Sequence, residues 1–278
     1  MDTSEGYQQA QKITQEHYEN FPVVSFFLPK DIRNDIAIIY WFARTADDFA
    51  DEGTGGVQER ISLLNFFESR LEKLLKSDFN NSLELALFNT INEKKLTNSY
   101  FFDLLSAFKQ DVEKNRYANF NEIRDYCKRS ANPVGRLILE LNGIKNDEAN
   151  LYSDKICTAL QLTNFYQDTM TDFIKGRIYY PADEMQKFEV SEKVFELKEN
   201  NFNFQQLLKY NVDRAQNMFD EGEKLFGHLK GKLKLQIKWT VKGGEEILKK
   251  IRKSNYNVLN ERPELNKFDM IKLFFVSA

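Results

Sequence analysis

Apolar residues recur at three- and four-residue steps along most of this chain, and no sustained run shows the strict alternation of a half-buried strand. In residues 31–51 (DIRNDIAIIYWFARTADDFAD), Ile32, Ile36, Ile39, Tyr40 and Ala43 follow the helical step. Segments 57–77, 82–95, 98–114, 121–143, 153–173 and 203–228 carry the same period. Turn-forming residues interrupt it at Asp51–Gly56, Asn115–Asn119, Gly143–Asn150 and Gly176–Pro181. No internal repeat, Ser/Pro linker or low-complexity stretch divides the chain. The pattern therefore predicts one all-α domain over residues 1–278, a helical bundle.

Composition narrows this picture. Five prolines and 12 glycines in 278 residues favour long helices over many short strands. With 42% hydrophobic and 29% charged residues the chain reads as globular, not disordered. The 24 Phe and 12 Tyr exceed what a core needs and point to a pocket for a greasy ligand. A net charge of −3 supplies no overall field for nucleic acid. Cys127 and Cys157 form neither a disulfide framework nor a metal-binding spacing and read as buried core residues of a reducing compartment. The N-terminus MDTSEGYQQAQK is polar and acidic, unlike a signal peptide. No apolar run reaches the roughly 18 residues of a spanning helix. The expected location is cytoplasmic.

Candidate chemistry concentrates in two acidic stripes. At about 100° per residue, Tyr40, Arg44, Asp47 and Asp51 fall on one face of a helix, with Asp48 at its edge. Like charges at i,i+4 cost roughly 0.2–0.5 kcal/mol per pair, and no lysine is placed to relieve them, so another group is expected to neutralise these acids. Gln161, Asn164, Asp168 and Asp172 repeat the arrangement on a second, mainly apolar helix. A solvated charged face explains a single such cluster; two of matched spacing favour a Mg²⁺–diphosphate site. Packed antiparallel, the two helices would aim both acid clusters into one deep central cavity.

At these residues the chain resembles the squalene/phytoene synthase family of head-to-head prenyl synthases. YWFARTADDFADE (40–52) and NFYQDTMTDFIKGRIYYP (164–181) match that family's two aspartate-rich motifs, and FKQDVEKNRY (108–117), DYCKRSANPVGRLILELNG (125–143) and NYNVL (255–259) follow in the family's order. ENFPVVS (19–25), ARTADDFADE and YCKRSANPVGRL look most like a bacterial branch that takes presqualene diphosphate, releases diphosphate and adds water. The family's His-Ser-x-Ser-Phe stands here as His17-Tyr18-Glu19-Asn20-Phe21, without the two serines that help hold a diphosphate.

The resemblance implies an isoprenoid-synthase-type bundle. It implies Mg²⁺, with Mn²⁺ as a substitute, on Asp47, Asp48, Asp51, Asn164, Asp168 and Asp172. His17, Asn20, Phe21, Tyr40, Arg44, Gln161, Gln167 and Tyr256 would bind substrate. Arg44, Arg177 and Tyr179 would act at the departing diphosphate. Tyr126 and Asn132 are candidates to hold the quenching water, Asn132-Pro133 being equally readable as a helix kink. No NADPH is expected. The implied partners are an isoprenoid diphosphate and, functionally, a presqualene diphosphate synthase. A squalene, dehydrosqualene or phytoene synthase is the alternative enzyme, and an inactive relative serving in assembly or lipid binding the alternative class.

Lone histidines, His17 and His228, are weak metal signals. The lysine-rich segment 224–253 reads either as a solvated helix face or as a peripheral contact with the inner face of a membrane. The C-terminal FDMIKLFFVSA either dips into lipid or covers the core.

Overall fold

A computed structural model describes residues 1–16, 32–51, 55–266, 268–269 and 273. Among these residues the secondary structure is helical and no strand occurs. The expected all-α class holds. In chain order the helices are α1 (Thr3–Glu16), α2 (Arg33–Asp51), α3 (Val57–Leu74), α4 (Ser82–Lys94), α5 (Ser99–Glu113), α6 (Phe120–Ser130) and α7 (Asn132–Leu141). They continue with α8 (Asp147–Gln167), α9 (Thr169–Ile174), α10 (Ala182–Lys187), α11 (Lys193–Glu196), α12 (Phe202–Gly222) and α13 (Gly231–Lys253), with a 3₁₀ turn at Glu223–Gly227.

Local chemistry explains many of the boundaries. Asn81, Asn119 and Asn201 sit in extended backbone before α4, α6 and α12, where each side chain accepts from the N–H three residues on, at 2.9, 3.3 and 3.0 Å. Gly143 (φ 73°) ends α7: its N–H bonds Glu140 O and that of Ile144 bonds Leu139 O, both at 2.9 Å.

Two segments expected as single helices are each divided. The stretch 121–143 splits between α6 and α7, so Asn132-Pro133 opens a helix instead of kinking one; a proline in a first turn forfeits no intrahelical bond. The stretch 153–173 breaks at Asp168 (φ −97°, ψ 16°).

The described chain divides into two compact units. Residues 1–113 and 133–150 make the first. In it α1 packs on α2 and α4, and α2 also meets α3 and α5. Its core is centred on Ile38, Phe42, Ala46, Leu64, Leu87 and Phe101, with the Phe42 ring 5.0 Å from Phe67 and 5.2 Å from Phe101. Of the stripe expected to be apolar, Ile32 and Ile39 are buried. Ile36, Tyr40 and Ala43 are half-buried, because they share their helix face with Arg44, Asp47 and Asp51. Arg70 and Glu84 form a buried, fully bonded pair: Nε and Nη2 donate to the two carboxylate oxygens at 2.9 and 2.6 Å, while Asn80 N donates at 2.7 Å.

Residues 114–132 and 151–278 make the second unit. There α12 packs on α13, and Tyr180, Phe195 and Phe204 form a trio of mutually touching rings at centroid distances of 5.7–5.8 Å, with Phe204 edge-on to the other two. A buried polar chain joins Tyr166 OH to Asn211, and Asn211 to Glu184, at 3.2 Å each, with Glu184 also held by Arg214. Burial raises the Tyr166 phenol well above its ordinary range, so it stays a neutral donor. Cys127 is fully buried and its thiol is pushed up to about 12 by burial, whereas Cys157 is only half-buried, short of the expected core position.

Candidate active site

The first acidic stripe lies on α2 in the first unit. Because α2 buries Ile38, Phe42, Ala46 and Ala50 on one side, its opposite side carries Tyr40, Arg44, Asp47, Asp48 and Asp51, all half-buried. The group other than lysine expected to neutralise these acids lies on the helix itself. Arg44 lies one turn back and reaches both, Nη1 to Asp47 Oδ2 at 3.0 Å and Nη2 to Asp48 Oδ1 at 2.7 Å. The Arg44 side chain is 16% exposed, while the Asp47 and Asp48 side chains are 42% and 36% exposed. The Tyr40 phenol is raised chiefly by burial; Arg44 opposes this and Asp47 and Asp48 add to it. It is a hydrogen-bond donor at neutral pH.

The second stripe lies in the second unit, across the α8–α9 break. Helical bonding continues through the break: Asp168 N donates to Asn164 O and Asp172 N to Asp168 O, both at 2.8 Å. The stripe therefore keeps its register even though the helix yields at Asp168. Thr169 secures the break, its hydroxyl contacting Phe165 O, Tyr166 O and the Tyr180 hydroxyl, the last at 2.8 Å. Asn164 Nδ2 donates to Asp168 Oδ2 at 2.7 Å.

Gly176 (φ 82°) then ends α9 in the left-handed region. Its N–H bonds Phe173 O at 2.9 Å, and the N–H of Arg177 bonds Asp172 O at 2.8 Å, which folds the Arg177 backbone onto the end of the stripe. Asp172, Arg177 and Tyr179 line one narrow cleft with Phe165, Thr169, Ile178, Tyr180 and Phe195. Tyr179 lies flat on Phe165, centroids 3.6 Å apart and planes within 4°. Tyr117 and Tyr126 complete this buried aromatic group at 5.6 and 6.2 Å from Tyr179. Such faces stabilise a cation without offering it a lone pair to attack.

Sequence reasoning missed Arg262. Its Nε donates to Asp168 Oδ1 at 2.5 Å, so the second acidic stripe, like the first, has an arginine on its central carboxylate. Ninety-four positions separate the two residues, and no local pattern links them. The adjacent Pro263 carbonyl takes the Gln167 amide at 2.7 Å, which directs that side chain to the 262–263 segment. Gln161 is half-buried on the stripe. Tyr256 is half-buried and follows Asn255 into the left-handed region, with φ 58° and 51°. These two residues close the end of α13, Asn255 N–H bonding Arg252 O at 3.2 Å and Tyr256 N–H bonding Ile251 O at 2.9 Å. The Asn132 amide oxygen accepts from Thr158 Oγ1 at 3.0 Å in a buried setting, which gives it a structural role. His228 packs its ring 5.9 Å from Tyr152. His17, Asn20 and Phe21 lie outside the described residues, as does most of the C-terminal FDMIKLFFVSA.

In neither unit do three acidic, histidine or cysteine side chains converge among the described residues. Each stripe nonetheless offers hard oxygen donors, carboxylates in the first and carboxylates plus the Asn164 amide in the second. A few such donors completed by water and phosphate oxygens suit Mg²⁺.

The family description Squalene/phytoene synthase matches residues 14–269. A hydroxysqualene synthase of Zymomonas mobilis is 38% identical over 60% of this chain and 56% of its own. One of Sinorhizobium fredii is 28% identical over 91% and 85%. A 15-cis-phytoene synthase of Synechococcus elongatus is 27% identical over 93% and 88%. Among solved structures, squalene synthase HpnC from Alicyclobacillus acidocaldarius superposes with a TM-score of 0.87 at 35% identity, covering 92% of this chain and 96% of that one.

Proposed function

The chain belongs to the squalene/phytoene synthase family, which acts on isoprenoid diphosphates, and from that premise we propose that it is a hydroxysqualene synthase. It takes presqualene diphosphate and water and yields hydroxysqualene and diphosphate. The observation that carries the ionisation chemistry is the pairing, in each unit, of a carboxylate stripe with an arginine at bonding distance. The choice of the water-adding branch is supported by the similarity to two hydroxysqualene synthases and by the YCKRSANPVGRL segment.

Mg²⁺ would be held by Asp47, Asp48 and Asp51 and by Asn164, Asp168 and Asp172, and supplies positive charge against the departing diphosphate. Arg44 and Arg177 donate to the diphosphate oxygens as negative charge gathers there. Tyr40 donates as a neutral phenol. Tyr117, Tyr126, Phe165 and Tyr179 present aromatic faces to the carbocation and keep bulk water from it. Tyr126, whose ring lies in this aromatic group, and Asn132, whose amide oxygen takes the Thr158 hydroxyl, are the candidates to hold the single quenching water.

The test feeds presqualene diphosphate and Mg²⁺ to the enzyme in ¹⁸O-labelled water, with and without NADPH. Labelled hydroxysqualene at similar rates in both reactions is the expected outcome. Squalene dominating once NADPH is present, or consumption of farnesyl diphosphate alone to a hydrocarbon, would assign the chain to another branch and leave the site chemistry standing.

A further inference from the structure

A hydroxyl inside a helix commonly bonds back to the carbonyl four residues before it, as Thr14, Ser62, Thr163 and Thr240 do here at 2.7–3.1 Å. Ser130, the last residue of α6, does not. Its hydroxyl oxygen is buried, and no group among the described residues bonds it. Leaving a buried hydroxyl unbonded is costly, and an ordered water is the usual remedy. The position of this hydroxyl gives such a water a use. α6 turns Ile123, Tyr126 and Cys127 inward. At 100° and 1.5 Å per residue, Ser130 falls between the directions of Tyr126 and Cys127, about 6 Å beyond Tyr126. The Tyr126 ring is 6.0 Å from Phe165, and Asn132 takes the Thr158 hydroxyl at 3.0 Å, so this stretch runs antiparallel to α8. Ser130 therefore stands level with the turn of α8 that carries Gln161, about 10 Å along that helix from Asp168.

The unsatisfied hydroxyl thus lies one turn from the aromatic group and well away from the acidic end where the diphosphate would leave. Along the chain it stands between Tyr126 and Asn132, and a buried water takes about three partners. Resting on the reading of the chain as a hydroxysqualene synthase, we propose that Ser130 is a catalytic residue whose Oγ holds the quenching water. The substrate's carbon–oxygen bond breaks and its electron pair leaves with the diphosphate. The water oxygen then gives an electron pair to the cationic carbon, and a new carbon–oxygen bond forms. The surplus proton of this oxonium passes to the diphosphate, the strongest base the reaction makes. Ser130 gains and loses no proton. Its oxygen accepts one hydrogen bond from the water, which leaves a water lone pair turned toward the cation.

The test gives the full chain presqualene diphosphate and Mg²⁺ in ¹⁸O-labelled water and measures labelled hydroxysqualene formed per diphosphate released. In Ser130→Ala this ratio should fall about tenfold, as expected for one lost hydrogen bond to the water, the balance appearing as alkenes or rearranged products. Ser130→Thr keeps the hydroxyl and should return the ratio to near the parent value. Since no protein group loses a partner, Ser130→Ala should melt close to the parent protein. Should it fail to fold, Ser130→Cys, close in size and only a weak hydrogen-bonding group, should lower the ratio in the same direction. A crystal structure of the parent should show a water at hydrogen-bonding distance from Ser130 Oγ that the alanine variant lacks. An unchanged ratio in folded variants, or slower diphosphate release at an unchanged ratio, would overturn the assignment of Ser130 while the enzyme's reaction stood. A parent protein that releases diphosphate without forming labelled hydroxysqualene would instead overturn the reading on which the assignment rests.

Discussion

Arg44 shows how one side chain changes the account of a site. The neighbouring acids Asp47 and Asp48 repel, but a guanidinium placed three and four residues before them spans both, so α2 can hold these carboxylates ready without ligand. Arg262 does the same for Asp168. Because these pairs are partly exposed, each contributes at most about 1 kcal/mol to stability. Asp47→Asn and Asp168→Asn should therefore melt close to the parent protein while turnover of presqualene diphosphate falls about a hundredfold or more. Near-parental turnover at limiting Mg²⁺ would remove the two acids from the mechanism. The contrast is Glu84, 6% exposed and bonded to Arg70 and Asn80 N. Glu84→Gln leaves the Arg70 charge buried without its counter-charge and should cost about 3–5 kcal/mol in denaturant unfolding.

At the scale of elements, close approach matters as much as charge. α1 lies so near the start of α4 that a Cβ on Gly6 would stand 2.0 Å from the Ser82 carbonyl oxygen, an immovable backbone atom. Ser82 Oγ also donates to Glu5 at 2.6 Å across the same contact. Gly6→Ala should destabilise the protein by about 1–3 kcal/mol, read as a lower urea midpoint, by forcing α1 away from α4. Many helix extents were legible in the sequence, since turn residues mark the interruptions at 115–119 and 176–181, while the interruption expected over 143–150 ends where α8 begins at Asp147. The break at Asp168 was not. Its flanking residues keep helical period and helical bonding, and the backbone yields only where the Thr169 hydroxyl takes up main-chain carbonyls and meets Tyr180.

Across the whole molecule, charge sets the response to acid. Glu122 is lowered below its ordinary 4.5 by its bond to Lys114 and then by the Ala118 N–H, and Glu192 by its bond to Arg116. A carboxyl lowered on folding contributes its full stability above the ordinary value and loses it as pH falls through the lowered one. Thermal midpoints of the parent and the double variant Glu122→Gln/Glu192→Gln should thus differ modestly at neutral pH and converge as pH falls below 4.5 and through the lowered values. A gap that persists in acid would mean the glutamates act through packing and not through charge. The sequence by itself determined the helical class and the placing of two acidic stripes at helical spacing, because both depend on a period of 3.6 residues that neighbouring positions carry. It did not determine which face of α2 is fully buried, which arginine sits on which aspartate, or where α8 gives way. The Arg44 pairs are local, one turn along α2, but the Arg262 bond to Asp168 joins residues 94 positions apart, and only the packed chain brings such partners within bonding distance.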